Sequence, residues 1–180
     1  MVGKQVSGQR IGIIGMGRVG QVMAERCRGF GMDVHYHNRK RLPEELEKGA
    51  HYHEKLDSLL GVSDFLSLHC PATPETTGMM NKDMLALLPD GAVFVNTARG
   101  ALVDETALLG ALQSGKISAA GLDCFVTEPG GNPAFAEYDN VFMLPHIGSA
   151  TVQTRDAMGF RALDNLDAFF SGKEPKDRLV

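Results

Sequence analysis

Apolar positions along the chain follow two rhythms that take turns. Ile11 to Ile14 form a β-branched run passing straight into the glycine-rich turn "GMGRVG", which predicts a strand feeding a turn. From Arg18 to Phe30 the spacing becomes helical, with Val19, Val22, Met23, Cys27 and Phe30 on one stripe and Gly31 as a stop. "DVHYHN" alternates as a second strand, and "AHYH" at 50–53 is a short third, with the charged, helix-prone stretch from Glu44 to Lys48 between them. "LDSLLGVS" supplies one or two helical turns, and "DFLSLHCP" a buried strand that Pro71 ends. "NKDMLALLPDG" is a short helix, "AVFVNTARG" a strand then a loop, and "VDETALLGALQSGK" a helix with Asp104 as its N-cap. "ISAAGLDCF" and "NVFMLPH" add two strands before a long helix from about Ser149 to Phe170 that stops at Gly172. Strands separated by helices predict an α/β fold: a doubly wound parallel sheet with helices on both faces, in one domain over residues 1–180.

Composition narrows the class. With 180 residues, 43% hydrophobic and 22% charged, the chain can bury a core without staples. Its net charge of −4 gives no general attraction to nucleic acid or anionic membranes, so any basic cluster must act locally. The three cysteines, Cys27, Cys70 and Cys124, are odd in number and far apart, which fits a reducing compartment rather than a disulfide framework. No apolar signal core opens the chain and no apolar run spans a bilayer, so the expected location is the cytoplasm.

Gly15, Gly17 and Gly20 spell GxGxxG between a strand and a helix, with a second strand following. In a Rossmann-like unit the first glycine permits the tight turn, the second lets backbone approach a pyrophosphate, and the third lets helix and strand pack closely. The helix N-terminus then offers N–H groups and a positive dipole end to phosphates. At the end of the second strand an acidic residue would bind the ribose 2′-hydroxyl of NAD, whereas a nearby Arg suits the 2′-phosphate of NADP. This chain has Asn38 followed by Arg39, Lys40 and Arg41. The neutral Asn removes a repulsion and the cations supply charge-assisted donors, so NADP is favoured; NAD is the alternative if the cations point to solvent.

Ligands of open α/β sheets bind outside the carboxyl ends of the strands. Arg99, Glu128 and His146 each lie just past a predicted strand end. A histidine suits proton transfer near neutral pH, a carboxylate beside it would favour its protonated form, and an arginine can grip a carboxylate or polarise a carbonyl. Beside a reduced nicotinamide, this set could reduce the keto group of an acid, though any of the three could instead form a surface ion pair.

The segments "GIIGMGRVGQ", "LHCPATPETTGMMN", "VNTARGALVDETAL", "AAGLDCFVTEP" and "NVFMLPHIGSATVQTR" resemble, in order and spacing, the cofactor domain of the D-isomer-specific 2-hydroxyacid dehydrogenases, in its glyoxylate/hydroxypyruvate reductase branch. The resemblance implies that Arg99 binds and polarises a 2-keto acid, that Glu128 pairs with the histidine, and that His146 donates the proton as hydride arrives. It further implies that Arg18 and Val19 lie at the pyrophosphate, that His69, Cys70, Pro71, Thr76, Thr97, Ala98 and Gly148 line the cofactor, and that Asp123 contacts the nicotinamide carboxamide. A homodimer through this domain is implied as well. Family members begin with a segment forming most of a separate substrate domain, whereas this chain starts almost at the first strand. Two readings follow: a reductase domain completed by a substrate domain, or a dinucleotide-binding or oligomerisation module without turnover by itself.

Other features are read more plainly. His35 and His37 share a strand face, and His51 and His53 repeat the pattern; four imidazoles could hold a metal, but no thiolate or carboxylate motif supports them, and the expectation is a polar face without a metal. Cys70 lacks an evident activating base and is read as packing near the cofactor. Phe160, Leu163, Leu166 and Phe170 on the long helix are read as core or subunit interface.

Overall fold

A computed structural model describes residues 3–178. The chain forms two compact units, the first ending at Pro145 and the second beginning at His146. The first contains seven parallel strands: β1 (Arg10–Ile14), β2 (Asp33–His37), β3 (His51–Tyr52), β4 (Phe65–Leu68), β5 (Ala92–Asn96), β6 (Ile117–Leu122) and β7 (Val141–Met143). Their spatial order, β3-β2-β1-β4-β5-β6-β7, is the doubly wound arrangement expected from the alternation of patterns. The order reverses between β1 and β4, so the loops leaving these neighbours diverge and open a crevice at their carboxyl ends.

Helices α1 (Arg18–Gly29), α2 (Glu44–Glu47), α3 (Leu56–Leu60), α4 (Lys82–Ala86) and α5 (Glu105–Gln113) connect the strands. Two core clusters result. Ile11 and Ile13 of β1 pack with Ala24 and Cys27 of α1, whereas Ile14 joins Leu59, Leu85, Phe94 and Leu108 in the other cluster. That split follows from the period of two along a strand, which sends alternate side chains to opposite layers. Asn81 caps α4 by accepting from the backbone N–H groups of Asp83 and Met84, and Asp104 caps α5 by accepting from Ala107 N–H, as the sequence predicts for Asp104.

The inward stripe of α1 differs from the expected one. Val19, Val22 and Phe30 are exposed, and the buried positions are Gly20, Ala24 and Cys27. Small residues at this i, i+4, i+7 spacing let α1 lie close against β1, a closeness that branched side chains would prevent. Two 3-10 turns, Gly100–Leu102 and Pro133–Glu137, carry no periodic signal in the sequence and lie within the predicted loops.

The second unit contains α6 (Val152–Phe170), capped by Thr151, whose hydroxyl accepts from Thr154 N–H. None of its residues is buried, and Phe160, Leu163, Leu166 and Phe170 are exposed, so of the two readings of their helical spacing, core or subunit interface, the core one does not hold among the described residues. Among the described residues no helix is long and apolar enough to cross a membrane.

Candidate active site

The glycine turn after β1 is shaped by three different demands. Gly15 has φ +96°, and a Cβ there would lie 2.5 Å from the backbone nitrogen of Cys70, so only glycine allows the β1 and β4 loops to approach this closely. At Gly20 a Cβ would lie 2.2 Å from the carbonyl oxygen of Gly15. Gly17 is the opposite case, since nothing lies within 4 Å of a Cβ built there. Gly17 is also the N-cap of α1, which has no side-chain cap and no acidic residue in its first turn among the described residues. An uncapped helix N-terminus beneath an open backbone position fits a dinucleotide pyrophosphate, because its N–H groups are left to an anion. Arg18 and Val19, the first residues of α1, are both exposed.

The basic turn after β2 is less uniform than its sequence. The Asn38 carboxamide oxygen accepts from Met16 N–H at 2.7 Å, which ties the end of β2 to the glycine turn. Its amide nitrogen retains two hydrogens for donation. Arg41 forms a bidentate pair with Glu47, at 2.8 and 2.9 Å, and its guanidinium lies over the Tyr52 ring. Glu47 is buried and also accepts from the Tyr36 hydroxyl, which in turn accepts from Leu42 N–H. The Arg41 and Tyr36 hydrogen bonds hold the Glu47 carboxyl down at about 2. Burial, with the Glu47 hydrogen bond second, pushes the Tyr36 phenol up to about 12. Arg41, itself exposed, thus braces the turn through Glu47; Arg39 and Lys40 are exposed as well. Arg39 reaches the loop after β4 electrostatically: Glu75 is held below the usual carboxylate range by the Thr73 hydroxyl first, and by the Arg39 charge in smaller part.

That β4 loop carries His69, Cys70, Pro71 and Thr76. His69 donates its backbone N–H to Ile14 and lies 2.9 Å from the Ser67 hydroxyl through Nε2; burial lowers its pKa and favours neutral imidazole. Burial raises the pKa of the Cys70 thiol, whose Sγ lies 3.9 Å from Met79 Sδ, which suits packing and not nucleophilic attack. The Thr76 hydroxyl donates to Pro71 O and accepts from Thr73 N–H, closing the loop on itself.

Across the crevice, the loops after β5 and β6 meet. A Cβ on Gly100 would fall 1.9 Å from the carbonyl carbon of Phe125, so the backbone of the Thr97–Gly100 segment rests directly on that of Phe125–Val126. Cys124 marks where the chemistry gathers. Its Sγ donates to Ala98 O at 3.3 Å, and burial first, then the charges of Glu128 and Asp123, push the thiol up to about 11 against the opposing pull of Arg99. Arg99 and Glu128 are therefore brought around one buried thiol, both exposed to solvent, with Thr97 exposed and Ala98 half-buried beside them. Arg99 donates to Ala98 O, and Glu128 accepts from Phe125 N–H at 2.8 Å. Asp123 is buried and donates its backbone N–H to Asn96 O. His146 and Gly148 belong to the second unit, and His146 has φ +55°, a left-handed conformation uncommon outside glycine.

Residues 1–148 match the family model described as D-isomer specific 2-hydroxyacid dehydrogenase, NAD binding domain. The chain belongs to this family. It is 43% identical over 176 residues to a glycerate dehydrogenase from Hyphomicrobium methylovorum, covering 97% of this chain and 55% of that protein. A glyoxylate reductase from Thermococcus litoralis is 45% identical over 175 residues, covering 97% and 53%. Among solved structures, the NADPH-dependent glyoxylate/hydroxypyruvate reductase from Sinorhizobium meliloti, in complex with NADP and malonate, superposes with a TM-score of 0.87 at 40% identity over 91% of this chain and 50% of that one. The chain spans about half the length of the curated relatives it matches.

Several residues of this 2-hydroxyacid dehydrogenase domain that shape the site escape sequence reasoning. Asn96 is buried at the end of β5; its amide donates to Arg99 O at 2.9 Å and its oxygen accepts from Ala98 N–H at 3.0 Å, so one side chain folds the arginine loop. A polar residue closing the apolar run "AVFVN" was the available signal. Glu105 of α5 accepts from Val126 N–H and from the Asn132 amide, anchoring the loop that carries Glu128. Nothing local in the sequence distinguishes it from an ordinary helix-start carboxylate.

Proposed function

We propose that this chain is the cofactor-binding half of a reductase that converts glyoxylate, hydroxypyruvate or a similar 2-keto acid to the D-2-hydroxy acid with NADPH. The observation that carries the reading is the placement of Arg99 and Glu128 on two loops whose backbones touch at the carboxyl ends of β5 and β6, in a sheet whose glycine turn stands open to a pyrophosphate.

Gly15, Gly17, Arg18, Val19 and Gly20 would hold the pyrophosphate, and Asn38, Arg39 and Lys40 the ribose phosphate, with Asp123 toward the nicotinamide. The bound cofactor supplies hydride. Arg99 grips the substrate carboxylate and polarises its keto group through charge-assisted hydrogen bonds. His146 would give its proton to the carbonyl oxygen as that oxygen gains charge, with Glu128 as its proposed carboxylate partner. The relatives' names support the substrate class, and the Sinorhizobium complex supports the phosphorylated cofactor.

Two measurements test this. NADPH consumption with glyoxylate, followed on the chain alone and on the chain joined to the remaining half of the Thermococcus reductase, should be present in the joined form and fall about 10²- to 10⁴-fold in His146→Ala. Undiminished turnover would remove the proton-donor assignment. A joined form that binds NADPH yet never turns over would favour the module reading. In parallel, calorimetric titration should give tighter NADPH than NADH binding. Asn38→Asp with Arg39→Ala should shift the ratio of the two affinities toward NADH by about tenfold or more, the effect of about 1.4 kcal/mol at one phosphate. An unmoved ratio would return those residues to a solvated turn.

A further inference from the structure

Away from the crevice, the opposite end of the β2–β3 edge gathers side chains that the dehydrogenase reading leaves unused. His35 of β2 and His51 of β3 are register partners in the parallel ladder, so both imidazoles leave the same face at the same height. Their rings stack with centroids 4.8 Å apart. Asp33, two residues before His35 and therefore on the same face of β2, points its carboxylate at both: Oδ2 lies 3.1 Å from His35 Nε2 and Oδ1 lies 3.3 Å from His51 Nε2. The three donor groups fall within 4.8 Å of one another.

We propose that Asp33, His35 and His51 form a binding site for a zinc-like divalent transition-metal ion, with solvent completing the coordination. A tetrahedral zinc ion with ligands at about 2.0–2.2 Å needs donor atoms about 3.3 Å apart; each imidazole lies near that distance from a different oxygen of Asp33, and the three ligand atoms lie within 4.8 Å of one another, so a small turn of the exposed carboxylate and of the His51 ring would gather them around one ion. Two imidazoles and one carboxylate are a ligand set for zinc, nickel or copper and not for calcium or magnesium. Asp33 and His51 keep 52% and 61% of their side-chain surface exposed, which leaves both an entry path and room for water.

A second row of partners fixes the inner imidazole. His35 Nδ1 lies 2.9 Å from His53 Nε2, and His53 Nδ1 lies 2.8 Å from the Ser58 hydroxyl. Without an ion the protons can run from Ser58 through His53 to His35, whose Nε2–H donates to Asp33. With an ion on His35 Nε2 the same chain reverses: His35 Nδ1–H donates to His53, and His53 Nδ1–H donates to the Ser58 oxygen, which accepts as readily as it donates. Every polar atom of the relay stays paired in both states, and the ligand ring is oriented through its far nitrogen, the usual support for a metal-bound histidine. The ion would cross-link β2 to β3, an edge strand held by only two residue pairs.

The test uses the whole chain, stripped with a chelator and titrated with Zn²⁺ alone in competition with a chromophoric chelator, and with Co²⁺ read by absorption. One equivalent binding in the micromolar range is expected, with His51→Ala and Asp33→Asn each weakening it at least tenfold and both variants keeping the wild-type circular dichroism. His37→Ala, which removes a neighbouring imidazole bonded to His53 O and outside the three ligands, should leave the affinity unchanged. Absence of saturable binding, equal affinity in His51→Ala, equal loss in His37→Ala, or a thiolate-to-cobalt charge-transfer band would each overturn the proposal.

Discussion

Gly17→Ala is expected to leave the melting temperature where it is while weakening NADPH binding at least tenfold, whereas Gly20→Ala should lower the melting temperature itself. The two glycines belong to the same turn but fail for different reasons. A Cβ at Gly17 meets no atom of the folded chain, and Gly17 has φ −75°, which alanine adopts freely. Its methyl would occupy only the space a pyrophosphate needs beside the backbone. A Cβ at Gly20 meets the carbonyl oxygen of Gly15 at 2.2 Å, and that neighbour is backbone with no rotamer to change, so α1 must move off the turn. Overpacking of this kind costs about 1–3 kcal/mol, a fall of about 3–10 °C for a chain of this size. Thermal melts with and without NADPH, together with calorimetric titration, separate the two. Equal melting temperatures for both variants would refute the close approach at Gly20.

Gly100→Ala carries the other large effect. The added methyl would lie 1.9 Å and 2.1 Å from the carbonyl carbon and oxygen of Phe125 and 2.4 Å from Val126 N, all backbone. The loop holding Arg99 and the loop holding Glu128 must then separate, and the Cys124 contact to Ala98 O goes with them. Stability should fall by about 3 kcal/mol, the upper part of the overpacking range. Displacement of catalytic groups by about 1 Å costs about 10²-fold in turnover. NADPH affinity should fall less than turnover, because the glycine turn belongs to β1 and its own contacts are untouched while only Thr97, Ala98 and Asp123 lie beside the displaced loops. Differential scanning calorimetry and the glyoxylate assay on the joined form read both effects. Wild-type values in both would mean the loops are not in register as described.

The strand and helix order was legible because apolar runs of four to six residues alternate with amphipathic stretches, and the glycine turn because it sits between a strand and a helix. The inward face of α1 was not, because small residues at Gly20 and Ala24 carry little hydrophobic signal although they set the helix-to-sheet distance. At the candidate site, residue types at strand ends named Arg99, Glu128 and His146 as candidates, and the loops of the first two meet in the structure. Asn96 and Glu105 stayed hidden because their work is to hold backbone, which depends on what folds beside them. The basic turn misled in one respect: three consecutive cations read alike, and only the buried Glu47 distinguishes Arg41 from the other two.

That distinction has a consequence for how this turn can vary. Arg41, Glu47 and Tyr36 form a fixed post under the turn, while Arg39 and Lys40 are exposed beside it. On the proposed function, cofactor preference and structural integrity would fall to separate residues in one run of three. On that same reading, substitutions at 39 and 40 would retune the preference for a phosphorylated ribose without disturbing the anchor, so discrimination between two nicotinamide cofactors would be open to gradual change while the anchor beneath it is not.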